Sequence, residues 1–164
     1  MKLGLLTIGQ PPRNDIVSTF ESVLSDDIEL IQKGALDSLS EEELDEVRAT
    51  DEEVTYVSKL RNGQSIKISE DKLVPLLKKE LKDLEKQVDM VVMLCTGDFP
   101  MLNYNKPIIY PDKVLTNMVD ALNFNQKMGL LIPLEEQREK ITEKWNRINT
   151  NKNVHLMMIQ NNWI

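Results

Sequence analysis

Cys95 is the chain's single cysteine, and it sits where an apolar run, Val88 to Leu94, gives way to the polar loop Thr96-Gly97-Asp98. A thiol can act as acid, base or nucleophile once its surroundings tune a pKa that is ordinarily about 8.5. Beside it, the Thr96 hydroxyl and the backbone N–H of Gly97 suit a substrate carboxylate. Arg13, with Gly9 and Gln10 just before it, supplies a guanidinium that can clamp a carboxylate through two parallel hydrogen bonds. Gln137 is a further candidate ligand contact. Each has a structural alternative: an inert buried thiol at Cys95, a helix-capping turn at Thr96-Gly97-Asp98, and a surface ion pair between Arg13 and Asp15 or Glu21. Asp98 would repel an anion if it faced inward, so a cap or a solvent-facing role suits it better.

Composition excludes several other chemistries. A formal net charge of −7 argues against a phosphate-backbone binder and against an anionic membrane surface. One cysteine excludes an intramolecular disulfide and a cysteine-based zinc site. One histidine, His155, lies in an apolar run where a structural role is the commoner one. Gly9 to Arg13 is neither a P-loop nor a dinucleotide fingerprint, so no cofactor and no metal is expected. No apolar run nears the ~20 residues of a membrane span. Met1-Lys2-Leu3-Gly4 does not open a signal peptide, and the expected location is cytoplasmic.

The elements that must position these residues follow from periodicity. Lys2 to Ile8 reads as a buried strand, followed by the turn Gly9-Gln10-Pro11-Pro12-Arg13 and a helix carrying Ile16, Val17, Phe20, Val23 and Leu24 on one face. Ile28 to Gln32 is a second strand, so the chain opens as a βαβ unit with a parallel sheet. Ser40 and Glu43 form a capping box before a short acidic helix. The acidic run Glu41 to Glu53 is a solvated face. Val54–Leu60 and Gln64–Ser69 are strand runs joined by Arg61-Asn62-Gly63, a hairpin signal. That hairpin interrupts the βαβ rhythm, and it belongs at a sheet edge or as a flap beside the site. Asp71 to Gln87 is a helix with Leu73, Leu76, Leu77, Leu81 and Leu84 at helical spacing, its first turn limited by Pro75. The Val88–Leu94 strand follows, then a short strand at Lys106–Tyr110. Pro111-Asp112 opens a helix with Val114, Leu115, Met118, Val119 and Leu122. After polar residues 123–127, Met128–Ile132 restarts the pattern of the first strand, with a helix over Leu134–Ile148 and a strand at Val154–Ile159. A ligand at the carboxyl ends of parallel strands would meet Cys95 and Arg13 on one rim.

Several turns, taken together in order, resemble the AroM family: Leu-Thr-Ile-Gly-Gln-Pro-Pro-Arg at Leu6–Arg13, Gly-Ala-Leu-Asp at Gly34–Asp37, Leu-Arg-Asn-Gly at Leu60–Gly63, Leu-Cys-Thr-Gly-Asp-Phe at Leu94–Phe99, Gly-Leu-Leu-Ile-Pro at Gly129–Pro133, with Gln137 and Trp145. That family usually has serine where this chain has Pro11. The AroM family is in turn similar to the aspartate/glutamate racemase superfamily. The resemblance implies two similar α/β domains facing each other, with one cysteine from each on opposite faces of a substrate carbon. Cys95 matches the first cysteine, with Thr96 and Gly97 as carboxylate contacts. The second would lie in a later part of the second domain that this chain does not have.

The expectation is therefore an α/β protein: a parallel-sheet, three-layer domain of the Asp/Glu racemase type at 1–125, then an incomplete second similar domain at 126–164. The expected function is racemase- or isomerase-like acid/base chemistry next to the carboxylate of a small organic or amino acid. Cys95 is the catalytic group, and Gly9, Gln10, Arg13, Thr96, Gly97 and Gln137 bind substrate. The alternative is a non-catalytic carboxylate-binding or regulatory protein linked to aromatic amino-acid metabolism. The expected partners are a small-molecule carboxylate and a second copy in a homo-oligomer; no nucleic acid and no membrane is expected. A third possibility is an incomplete product, which would expose apolar edge around Val154–Ile159 and Trp163 and self-associate.

Overall fold

A computed structural model describes residues 1–50, 53, 55–100, 102–122, 128–132, 135–148 and 154–158. The chain divides into two compact units, Met1–Asp112 and Lys113–Ile164. The expected linker at 123–127 lies outside the described residues, as do Pro133, Ile159 and Trp163.

In the first unit β1 (Lys2–Thr7) runs between β2 (Glu29–Gly34) and β5 (Met90–Met93), parallel to both. β6 (Ile108–Ile109) adds to β5, giving the strand order β2-β1-β5-β6. From Leu3 onward β1 is buried at every position, as a strand covered on both faces must be. One face carries Leu3, Leu5 and Val92 against α1 (Asn14–Val23), which contributes Val17 and, less deeply, Phe20. Val23 was expected on that packed face, yet it is 74% exposed. It lies about 120° around the helix from Val17 at 100° per residue, outside the stripe of Val17, Phe20 and Leu24.

The other face carries Leu6, Ile8, Val91 and Met93 against α3 (Glu70–Leu84) and a hairpin. α3 buries Leu73, Leu77, Leu81 and Leu84, the expected stripe, while Leu76 packs at its margin. The helix begins at Glu70, so the exposed Pro75 sits in its second turn rather than its first. The helix passes through the missing N–H there because the leucines on both sides are held in the core. The parallel sheet is thus flanked by helices on both faces.

The hairpin is β3 (Thr55–Lys59) and β4 (Ser65–Ser69), antiparallel, with Lys59 opposite Ser65. Gly63 N–H donates to the Leu60 carbonyl at 2.9 Å, and Leu60 N–H to that of Gln64 at 2.8 Å. Gly63 has φ of +84°, the left-handed residue that a three-residue loop needs at its end. Tyr56, Ser58, Ile66 and Ile68 alternate inward and are buried. α2 (Glu41–Glu46) starts with the expected capping box: Glu43 N–H donates to Ser40 Oγ, and Ser40 N–H to the Glu43 carboxylate.

α4 (Pro111–Ala121) spans the unit boundary. Its apolar residues Val114, Leu115 and Met118, and Leu122 just beyond it, are exposed; Asp112 and Thr116 are buried. In the second unit β7 (Met128–Ile132) pairs in parallel with β8 (Val154–Met158), with α5 (Arg138–Ile148) between them, so one βαβ unit forms. Ile132 and Trp145 are buried. Among the described residues, no helix is long and apolar enough to cross a membrane.

Leu77 is fully buried at the centre of the α3 stripe. Leu77→Ala should cost about 2–5 kcal/mol in urea unfolding, from lost burial and the cavity left behind. Val23→Ala should stay within about 0.5 kcal/mol of the parent.

Candidate functional site

β1 and β5 are neighbours in register, Leu6 opposite Met93, and Leu94 N–H donates to the Leu6 carbonyl at 2.7 Å. The two strands therefore run out side by side, and the loops after them share a rim. Gly9, Gln10 and Arg13 come from the first loop, and Cys95, Thr96 and Gly97 from the second. Gln137 belongs to the other unit, in a 3-10 turn (Glu135–Gln137) after β7.

The β1 loop is held by buried polar groups. Thr7 Oγ1 accepts from Gly9 N–H at 3.2 Å. Gln10, buried, donates its amide to the Leu36 carbonyl at 3.1 Å and accepts from Arg61 N–H at 2.9 Å. That amide ties the β1 loop to the turn after β2 and to the hairpin tip, so within this unit its polar atoms are occupied by backbone. Gly9 is a glycine because the hairpin lies against it. A Cβ there would sit 2.6 Å from the Lys59 carbonyl oxygen and closer still to Ser58 Oγ. The peptide bond between Pro11 and Pro12 is cis.

Arg13 is largely buried, with its side chain 19% exposed. Its guanidinium bonds a carboxylate and a buried hydroxyl. Nε and Nη2 donate to the two Asp15 carboxylate oxygens at 2.9 and 2.7 Å, and Nη1 lies 3.5 Å from Thr7 Oγ1. The Asp15 pair is the surface alternative raised by the sequence. It holds the Asp15 carboxyl below its usual range. The positive charge of the same guanidinium favours the Cys95 thiolate.

Cys95 is partly buried. Burial pushes its thiol up, with the Asp112 carboxylate adding to the rise; hydrogen bonds from the Gly97 and Thr96 N–H groups and the charge of Arg13 oppose it. Gly97 N–H donates to Cys95 Sγ at 3.3 Å, so this N–H points at the sulfur. The Thr96 side of the loop is exposed. At neutral pH the thiol is protonated, which makes it a proton donor or a nucleophile in need of a base.

The sequence reading missed Tyr56. Its ring stacks on Phe99, centroids 4.3 Å apart and planes 12° from parallel. Its hydroxyl lies 2.7 Å from Glu70 Oε2 and 3.0 Å from the Asp98 carbonyl. Burial first, and then the Glu70 carboxylate, push the phenol up. Inward alternation on β3 was the available signal; the hairpin was expected at a sheet edge or as a flap beside the site, but no pattern singled out its tyrosine. Asp112, known from sequence only as a helix start, is buried close enough to act on the thiol. Among the described residues, no three His, Cys, Asp or Glu side chains are grouped to hold a metal ion.

A family model described as AroM protein matches residues 3–161. Comparison with curated proteins and with solved structures found no match.

Two outcomes follow from the rim's polar groups. Gln10→Leu leaves the Leu36 carbonyl and the Arg61 N–H without their partner, and should cost about 2–4 kcal/mol in urea unfolding. Cys95 and Tyr56 both have folded pKa values above their ordinary ones, which are 9.0 and 10.0. Their contribution is therefore complete at low pH and is lost as pH rises through the folded values. Unfolding free energy should hold level to about pH 8 and decline above it, with Cys95→Ser flattening the early decline and Tyr56→Phe the later one. Equal stability from about pH 8 to 10.5 in the parent protein would contradict this.

Proposed function

The chain belongs to the AroM family, and from that premise we propose that the β1–β5 rim binds the carboxylate of a small organic or amino acid and that Cys95 moves a proton at the adjacent carbon. The observation that carries the reading is the shared rim: β1 and β5 lie side by side and parallel, so the loop that holds Arg13 and the loop that holds Cys95 leave the sheet together. In this reading Arg13 neutralises the carboxylate, the exposed Thr96 holds it, and the Gly97 N–H supports the sulfur when it loses its proton. Gly9 and Gln10 fix the arginine loop. The chemistry is cofactor-independent and of the kind used in the aspartate/glutamate racemase superfamily, on a fold of that type. The reading divides the chain into a first domain at 1–125 and a second α/β segment at 126–164.

Cys95 serves one face of a carbon, so the step proposed for it is proton transfer on that face. Cytoplasmic location and self-association are parts of the same proposal; the exposed Val114, Leu115 and Met118 support the latter.

The second reading is a binding or regulatory protein without turnover, linked to aromatic amino-acid metabolism. It is favoured by the raised thiol, which is a poor base near neutral pH.

Incubation with 2-amino and 2-hydroxy acids in deuterium oxide separates the two. Proton–deuterium exchange at Cα, reduced at least about 100-fold by Cys95→Ser, supports the catalytic reading. Thermal stabilisation by the same acids without exchange, weakened about tenfold by Arg13→Gln, supports the binding reading. With neither exchange nor stabilisation, both fall.

A further inference from the structure

The hairpin reaches both loops of the rim. Toward the β1 loop it lies flush on Gly9 through Ser58 and Lys59. Its tip residue Arg61 donates from the backbone to Gln10 at 2.9 Å and from Nε to the Pro11 carbonyl at 3.0 Å, and pairs with Asp37. Toward the β5 loop it offers one side chain, Tyr56, which touches three consecutive residues. The ring edge lies where a Gly97 side chain would begin, 2.5 Å from that Cβ position at Cε1. The hydroxyl lies 3.0 Å from the Asp98 carbonyl, and the ring stacks on Phe99. Glu70, at the start of α3, holds the hydroxyl from the other side at 2.7 Å. Gly97, pinned beneath the ring, is the residue whose N–H donates to Cys95 Sγ.

We propose that Tyr56 is a positioning residue for Cys95, acting through Gly97: it presses the 97–99 segment against the hairpin, aims the Gly97 N–H at the sulfur and keeps water from the thiol. The ring supplies most of the effect, because a stacked, flat contact fixes the loop's plane; the hydroxyl adds a tie at Asp98. Phe99 is the loop's own half of the clamp. The inference rests on Cys95 being the working group of the rim, but it concerns the thiol's surroundings and needs no substrate to test.

The test is the rate of alkylation of Cys95 by iodoacetamide on the folded full-length chain. As the single cysteine, it is the reagent's one thiol target. Rates are taken from about pH 7 to 10 for the parent, Tyr56→Phe, Tyr56→Leu and Phe99→Leu, with urea stability measured separately. Two consequences of releasing the loop oppose each other: renewed solvation lowers the thiol pKa, and a lost Gly97 N–H raises it. Burial is the larger influence in the folded protein, so solvation wins. Tyr56→Leu should move the alkylation midpoint down by about one unit and raise the rate at pH 8 about tenfold. Phe99→Leu should move both in the same direction by less. Tyr56→Phe, which keeps the ring over Gly97, should restore the rate to within about threefold of the parent.

A tyrosine that only fills the core would lower urea stability in these variants and leave the midpoint of the folded protein where it was. Parental rates and midpoint in folded Tyr56→Leu would overturn the proposal. Should that variant not fold, Phe99→Leu decides: a faster reaction supports the proposal and an unchanged one ends it. Exchange at a substrate carbon is a separate readout, so a failed exchange assay leaves this result standing, and a parental alkylation profile leaves the carboxylate reading intact.

Discussion

The enclosure of β1 on every side is the constraint from which the first unit follows. Its two edges pair with β2 and β5, and its two faces lie under α1 and under α3 with the hairpin. A backbone so placed has no water to bond, so both neighbours must run in register along its length. Gly4 shows how closely the second face is filled: a Cβ there would already lie 3.2 Å from Val88 and Val91 and 3.4 Å from Leu84. With β1 and β5 parallel and adjacent, their carboxyl ends must finish together. The rim that collects Arg13 and Cys95 is thus a consequence of burying β1, and needs no separate device to assemble it.

What that rim can do is limited by charge. The guanidinium of Arg13 already shares its positive charge with Asp15, and the Asp112 carboxylate pushes the thiol up while the arginine opposes it. An incoming carboxylate has to share Arg13 with Asp15 or displace it, and its own charge would drive the thiol further toward the protonated form. Under the proposed reading, the rim suits a ligand whose carboxylate is compensated within the molecule.

The strands, their parallel pairing, the capping box and the hairpin were legible because each rests on a local signal: apolar runs, Ser40 with Glu43, and Asn62-Gly63. The rim was legible for the same reason, since strand ends and the Gly9–Arg13 and Cys95–Gly97 turns are adjacent to those runs. Contacts between distant residues were not. Gln10 read as a ligand contact, but its amide bridges residues 26 and 51 positions away, and no local pattern encodes such a bridge. Gly97 read as a donor to a ligand because only a turn was visible, not the sulfur folded back upon it. Val23 was placed on the packed face because apolarity alone does not say how wide a helix's buried stripe is.

The hairpin interrupts the regular βαβ rhythm of the chain. A βαβ repeat needs no antiparallel insertion between β2 and α3, and such an insertion brings the cost of ordering its loop. It recovers stability by burying Tyr56, Ile66 and Ile68 against the same core as α3. Core filling alone, however, would not require its tip to bond the β1 loop or its tyrosine to lie over Gly97. Both contacts fall at the carboxyl rim, one on each loop, and on each loop the hairpin also lies against a glycine too close to carry a side chain, Ser58 and Lys59 on Gly9 and Tyr56 on Gly97. An element that departs from the repeat and touches the two loops at those points ties one to the other.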